Sequence, residues 1–198
     1  LRKAISDFYF RFFKVDCNPD NEVLPLMGSK EGIMHISLAF LNAGDEVLIP
    51  NPGYPTYLSV TKLVEAKPIF YNLLKKNNWF PDLKKLENQD LSKVKIMWIN
   101  YPHMPTGASA SKQQFEQLIN FAKKHNILII NDNPYSFILN DNHTSLLSID
   151  NSKEVAMELN SLSKSFNMSG WRVGMLLGSS ENISRVLKVK SNMDSGMF

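Results

Sequence analysis

The feature that most constrains this chain is a recurrence: short apolar runs rich in β-branched residues alternate with amphipathic helical patterns. The runs are EVLIP (46–50), PIFYN (68–72), VKIMWIN (94–100), ILIIND (127–132), VAMELN (155–160) and VGMLLG (173–178). Between many of them lie EGIMHISLAFLNA (31–43), YPTYLSVTKLVEA (54–66), SKQQFEQLINFAKKHN (111–126) and ENISRVLKVKSN (181–192). Strands without clean polar/apolar alternation, spaced by helices, belong to a mostly parallel sheet covered on both faces. The expected fold class is α/β, a mostly parallel sheet sandwiched by helices in three layers. Ligands of such sheets collect at the carboxyl ends of the strands, so the loops after the apolar runs are where chemistry is expected.

Composition narrows the classes that remain. With 198 residues and 43% hydrophobic content, the chain can bury one sizeable core. Its net charge of +3 arises from 22 basic and 19 acidic residues spread along the whole length, without the basic stripe that nucleic acid requires. No apolar run reaches the length of a membrane span or signal-peptide core, and the single cysteine, Cys17, has no partner for an internal disulfide. A reducing, cytoplasmic setting with neither nucleic acid nor membrane as partner is expected. The chain opens without methionine inside a helical pattern, LRKAISDFYFRFF, and stops at SGMF just after another. It reads as an internal piece of a longer protein, one domain over 1–198 with no linker or repeat.

Five stretches carry polar groups at the places where a ligand is expected. MGSKEG (27–32) precedes a helix, where small residues let backbone N–H groups approach an anion. It is not a Walker A loop, since Val23 stands where that motif needs glycine, and a serine-led cap with a glutamate in the first turn explains it equally well. NPGYPTY (51–57) offers Tyr54 as a ring against a flat ligand or as simple loop packing. NYPHMPTG (100–107) reads as a tight turn in which only Asn100 and His103 are polar enough to bind, His103 being expected in solvent. INDNPYSF (130–137) ends a very apolar strand with Asp132, a carboxylate that in so dry a place needs a cation, unless it caps a turn; Tyr135 can reach the same ligand. LNSLSKSFNMSGWRVG (159–174) places Lys164 among serines as a candidate Schiff-base nucleophile. In the same stretch Ser161, Ser163 and Arg172 suit a phosphate, because a guanidinium fork matches two phosphate oxygens.

Taken in order, GSKEG, NPGYP, the P-T-G loop, D-x-x-Y and SLSKSFNMSGWRVG resemble the class I/II aminotransferases, pyridoxal-phosphate enzymes of fold type I, across nearly the whole chain. The resemblance implies a large cofactor-binding domain and amino-group exchange between an amino acid and a 2-oxo acid by a ping-pong route. Lys164 matches the lysine that forms the internal aldimine and later carries the α-proton. Asp132 matches the carboxylate on the pyridinium nitrogen, Tyr135 the phenol at the 3′-oxygen and Tyr54 the stacking ring. Ser29, Lys30, Ser161 and Arg172 match the phosphate cup. GSKEG, NPGYP and KSNMDSGMF resemble the diaminopimelate and broad-specificity branch.

Two departures stand out. Met104 occupies the place of the asparagine that normally donates to the 3′-oxygen, and a thioether cannot donate, leaving Tyr135 as main donor unless His103 swings in. The aldimine pKa is then expected to be raised. The N-terminal arm and the small domain with its carboxylate-binding arginine are missing, and relatives are homodimers with shared sites, so the fragment alone is expected to be inactive or poorly folded. The same cradle serves C–S lyases, decarboxylases, racemases and non-catalytic sensing domains in regulators, which remain alternatives.

Overall fold

A computed structural model of the chain describes residues 1–197, so that only the last residue of the terminal stretch KSNMDSGMF lies outside the described residues. Seven strands, β1 (Val23–Leu26), β2 (Glu46–Asn51), β3 (Lys67–Asn72), β4 (Val94–Ile99), β5 (Leu128–Asp132), β6 (Ala156–Ser161) and β7 (Gly174–Leu177), form one sheet in the order β1-β7-β6-β5-β4-β2-β3. From β3 to β6 every neighbouring pair is parallel; β7 is antiparallel to both β6 and β1. The α/β expectation holds, and all six predicted strands form. β1 is added by the structure: VLPL is too short and too interrupted by Pro25 to signal a strand, yet proline is tolerated at a sheet edge.

The helices are α1 (Arg2–Phe13), α2 (Ser29–Phe40), α3 (Pro55–Leu63), α4 (Leu83–Glu87), α5 (Lys112–His125), α6 (Leu162–Ser165) and α7 (Ser180–Lys190). Their ends follow local chemistry. At α5, Ser111 accepts from the Gln114 N–H at 3.2 Å while the Gln114 side chain accepts from the Ser111 N–H at 2.8 Å, a reciprocal cap, and Asn126 closes the helix in the left-handed region at φ 55°. Its buried residues Phe115, Leu118, Ile119 and Ala122 repeat at helical spacing and face the sheet. Pro55 starts α3 at a position where its missing N–H costs nothing.

Alternation along the strands splits the core in two. Met97, Ile99, Ile129, Ala156 and Met175 pack on one face with α1 and α5, whereas Ile96, Trp98, Ile130, Met157 and Leu176 pack on the other with α2, α3 and α7. This is the three-layer sandwich. Asp132 falls in step with Ile130, on the α2/α3 face, and Glu158 with Ala156, on the α1 face. No helix among the described residues is long and apolar enough to cross a membrane.

Candidate active site

The carboxyl ends of β4, β5 and β6 and the N-terminus of α2 converge on one cavity of about 220 Å³. Ser29, Lys30, Tyr54, Asp132 and Tyr135 line it, and so do Ser161, Ser163, Lys164 and Arg172. These nine candidate residues are therefore brought to one place, although the first and last lie more than a hundred residues apart; His103 is not among them. Asn100, Met104, Pro134 and Ser169 complete the wall.

Asp132 sits at the floor and is 5% exposed. Its Oδ2 accepts from the Tyr57 hydroxyl at 2.9 Å, while its Oδ1 is buried with no hydrogen-bond partner. Burial pushes its carboxyl up to about 6, and the Tyr57 hydrogen bond works against that rise. The aspartate caps no turn, so the structural alternative for it fails. A buried carboxylate oxygen left empty is costly and is completed by a ligand cation or N–H. Tyr57 itself was not singled out; its signal was the second tyrosine of NPGYPTY. Its ring stacks on Trp98, with centroids 5.0 Å apart and planes 6° from parallel, which fixes the hydroxyl under Asp132. Tyr135 is half-buried at the rim, and burial followed by the Asp132 charge raises its phenol pKa.

The opposite end of the cavity is cationic. Gly28 caps α2 at φ 88°, no side chain caps the helix, and Ser29 and Lys30 of its first turn line the cavity. Ser29 is the first helical residue rather than the cap. Arg172 comes back to this end from the turn before β7, at φ 53°; its Nη1 donates to the Ser169 carbonyl at 2.9 Å and its Nη2 to the Met27 carbonyl at 3.3 Å. The approach is close: at Gly174 a Cβ would stand 2.5 Å from the backbone nitrogen of Ser29, and at Gly28, where φ is already 88°, one would stand 2.3 Å from Arg172 Nη2 and push that side chain aside. Lys164 lies on the short helix α6, whose N-cap Ser161 accepts from the Ser163 N–H at 3.2 Å. The serine-rich stretch is thus a helical turn, with Lys164 exposed toward the cavity.

The loop after β4 corrects one expectation. His103 is 2% exposed, not solvated. Its Nε2–H donates to the Pro52 carbonyl after β2 at 3.1 Å and its Nδ1 accepts from the Thr106 hydroxyl of its own loop at 2.7 Å, so both nitrogens are consumed. Burial lowers its pKa, consistent with a neutral ring. It does not take the place of the asparagine missing at Met104. Asn100 braces the loop: its Nδ2 donates to the Asp132 carbonyl at 2.5 Å and its Oδ1 accepts from the Met104 N–H at 2.7 Å.

Behind the site, on the α1 face, lies a polar hub that sequence reasoning missed. Glu158, fully buried, accepts from Tyr9 at 3.1 Å, Asn131 at 3.0 Å, Asn133 at 3.2 Å, Ser145 at 2.9 Å and the Leu146 N–H at 3.0 Å. It pins both neighbours of Asp132. A glutamate inside the otherwise apolar AMEL was the available signal.

An anionic floor and a cationic rim fit a flat ligand with a protonated nitrogen at one end and a phosphate at the other. The comparisons with known proteins agree. Residues 1–195 match the family described as aminotransferase class I and II. The whole chain is 47% identical to an LL-diaminopimelate aminotransferase of Dehalococcoides mccartyi and 44% identical to one of Aquifex aeolicus, of which it covers 51% and 52%. Among solved structures, BacF from Bacillus subtilis superposes with a TM-score of 0.96 at 38% identity, over all of this chain and 50% of that one. The chain thus spans about half the length of the curated relatives it matches. It belongs to the aminotransferase class I and II family.

Proposed function

We propose that this chain is the cofactor-binding large domain of a longer aminotransferase that exchanges an amino group between an amino acid and a 2-oxo acid. Enzymes of the family depend on pyridoxal 5′-phosphate. When bound, that group supplies an aldehyde for amine exchange and a ring that takes up electrons as the substrate loses its α-proton. The unpartnered Asp132 Oδ1 is the observation that carries the reading, because it fits a protonated ring nitrogen and no group among the described residues satisfies it. Tyr57 and Asn100 hold that carboxylate in place from its side-chain and carbonyl oxygens. Tyr54 would flank the ring, and the Tyr135 hydroxyl would serve the 3′-oxygen. Ser29, Lys30, Ser161, Ser163 and Arg172 would hold the phosphate with the N-terminus of α2. Lys164 would hold the aldehyde carbon, and its amine would be the base that carries the α-proton.

The 47% identity to the Dehalococcoides mccartyi enzyme supports LL-diaminopimelate as the amino donor. We further propose a cytoplasmic homodimer. Phe166 at 45% and Trp171 at 67% exposure lie on the segments that carry Lys164 and Arg172, where a second subunit would cover them. The test uses the full-length protein: it should turn yellow with the cofactor, keep the label after borohydride, and transfer the amino group of LL-diaminopimelate to a 2-oxo acid. Lys164→Ala should abolish both the fixed label and the transfer. Retention of the label by Lys164→Ala would reject the assignment of that residue; a labelled protein that transfers from other amino acids but not from diaminopimelate would reject the donor alone.

A further inference from the structure

A buried cation ties the segment after α7 to the first turn of α2. Lys190, the last residue of α7 and 6% exposed, places Nζ 2.9 Å from Glu31 Oε1 and 2.5 Å from Asp194 Oδ2. The same Glu31 oxygen accepts from the Met27 N–H at 2.9 Å, and the Met27 carbonyl accepts from Arg172 at 3.3 Å. The Met27–Gly28 turn in front of α2 is thus held at its N–H by Glu31 and at its carbonyl by Arg172, while Lys190 holds Glu31. His35, one turn further along α2 and 5% exposed, points Nε2 to 3.8 Å from the same Glu31 oxygen, and neither of its ring nitrogens is hydrogen-bonded. Burial lowers its pKa, so it adds no second cation.

A carboxylate in the first turn of a helix ordinarily absorbs the positive end of the dipole and repels any further anion there. Glu31 would do this to a phosphate seated on Ser29 and Lys30. We propose that Lys190 is a positioning residue for the phosphate seat: it orients Glu31 against the Met27–Gly28 turn and, although shared with Asp194, offsets part of its charge, so that the α2 N-terminus repels a phosphate less. The inference rests on the reading of Ser29, Lys30 and Arg172 as that seat.

The measurement is the ratio of affinities of the full-length protein for pyridoxal 5′-phosphate and for pyridoxal, which lacks only the phosphate. Lys190→Met leaves the Glu31 charge without this offset and should lower the ratio about tenfold, with pyridoxal binding changed by less than about twofold. Glu31→Gln keeps an oxygen for the Met27 N–H but removes the charge, so the ratio should rise about threefold. The double variant should return toward the wild-type value. A clamp that merely stiffened α2 would lower the ratio in both single variants. An unchanged ratio in Lys190→Met, or a fall in Glu31→Gln, overturns the proposal; if Lys190→Met does not fold, the sign of the Glu31→Gln effect decides alone. A wild-type protein with no preference for the phosphorylated ligand would instead reject the seat itself.

Discussion

The most informative perturbation is Asp132→Asn, because the structure leaves one oxygen of this buried carboxylate empty. Its pKa rises from 3.8 unfolded to about 6 in the fold, chiefly through burial. At about 1.4 kcal/mol per pH unit, that difference amounts to about 3 kcal/mol. The folded carboxyl holds its proton more tightly than the unfolded one, so its contribution to stability is complete below about pH 4 and is lost as the pH rises through about 6. Urea unfolding of the cofactor-free, full-length protein at intervals from pH 4 to pH 8 reads this directly. Buried Glu158, whose pKa is also raised, titrates in both proteins, so the informative quantity is the difference between wild type and variant. Wild type should lose about 3 kcal/mol relative to Asp132→Asn across that interval, and saturating cofactor should abolish the loss by giving the carboxylate a cation. Tyr57→Phe, which removes the bond that lowers this pKa, should shift the transition to higher pH by about one unit. Parallel wild-type and Asp132→Asn curves would refute the reasoning, since they would mean that Asp132 is not a strained, ligand-seeking carboxylate.

Two further outcomes follow from the site. With Met104 unable to donate and both His103 nitrogens bonded to Pro52 and Thr106, Met104→Asn should lower the pH at which the absorption spectrum of the Lys164-linked cofactor changes; a spectrophotometric titration showing the same midpoint in both proteins would reject it. Gly174→Ala would force a Cβ to within 2.5 Å of the Ser29 nitrogen, a backbone contact that no rotamer relieves. Phosphate affinity, read by displacement of bound cofactor, should fall at least about tenfold in that variant, and wild-type binding would show that the α2 N-terminus can move without loss.

Much of this was legible in the chain itself. ILIIND declares a strand buried on both faces and ends it with the aspartate that the fold puts on the floor of the cavity. SKQQF announces the cap of α5, and SLSKSFNMSGWR places the lysine and arginine of one site. What stayed hidden had no local signature. The antiparallel run of β7 between β6 and β1 depends on a turn at Arg172 rather than on a helical crossover, and VLPL has no periodicity of its own. His103 looks like a loop histidine, and only the approach of Pro52, fifty-one positions away, takes it out of solvent.

By itself, then, the sequence determined the layered α/β class, the order of the loops that line the cavity and the residue types there, because periodicity, capping and side-chain chemistry act over a few neighbouring residues. Only the tertiary structure decided the states of those residues. Asp132 acquires its raised pKa from burial and its fixed oxygen from Tyr57, seventy-five residues away; Glu31 is paired with Lys190, across 159 residues; Glu158 gathers donors from α1, β5 and the chain before β6. The reason is physical. Desolvation and charge pairing depend on what packs around a group in three dimensions, and no short stretch of chain encodes that environment.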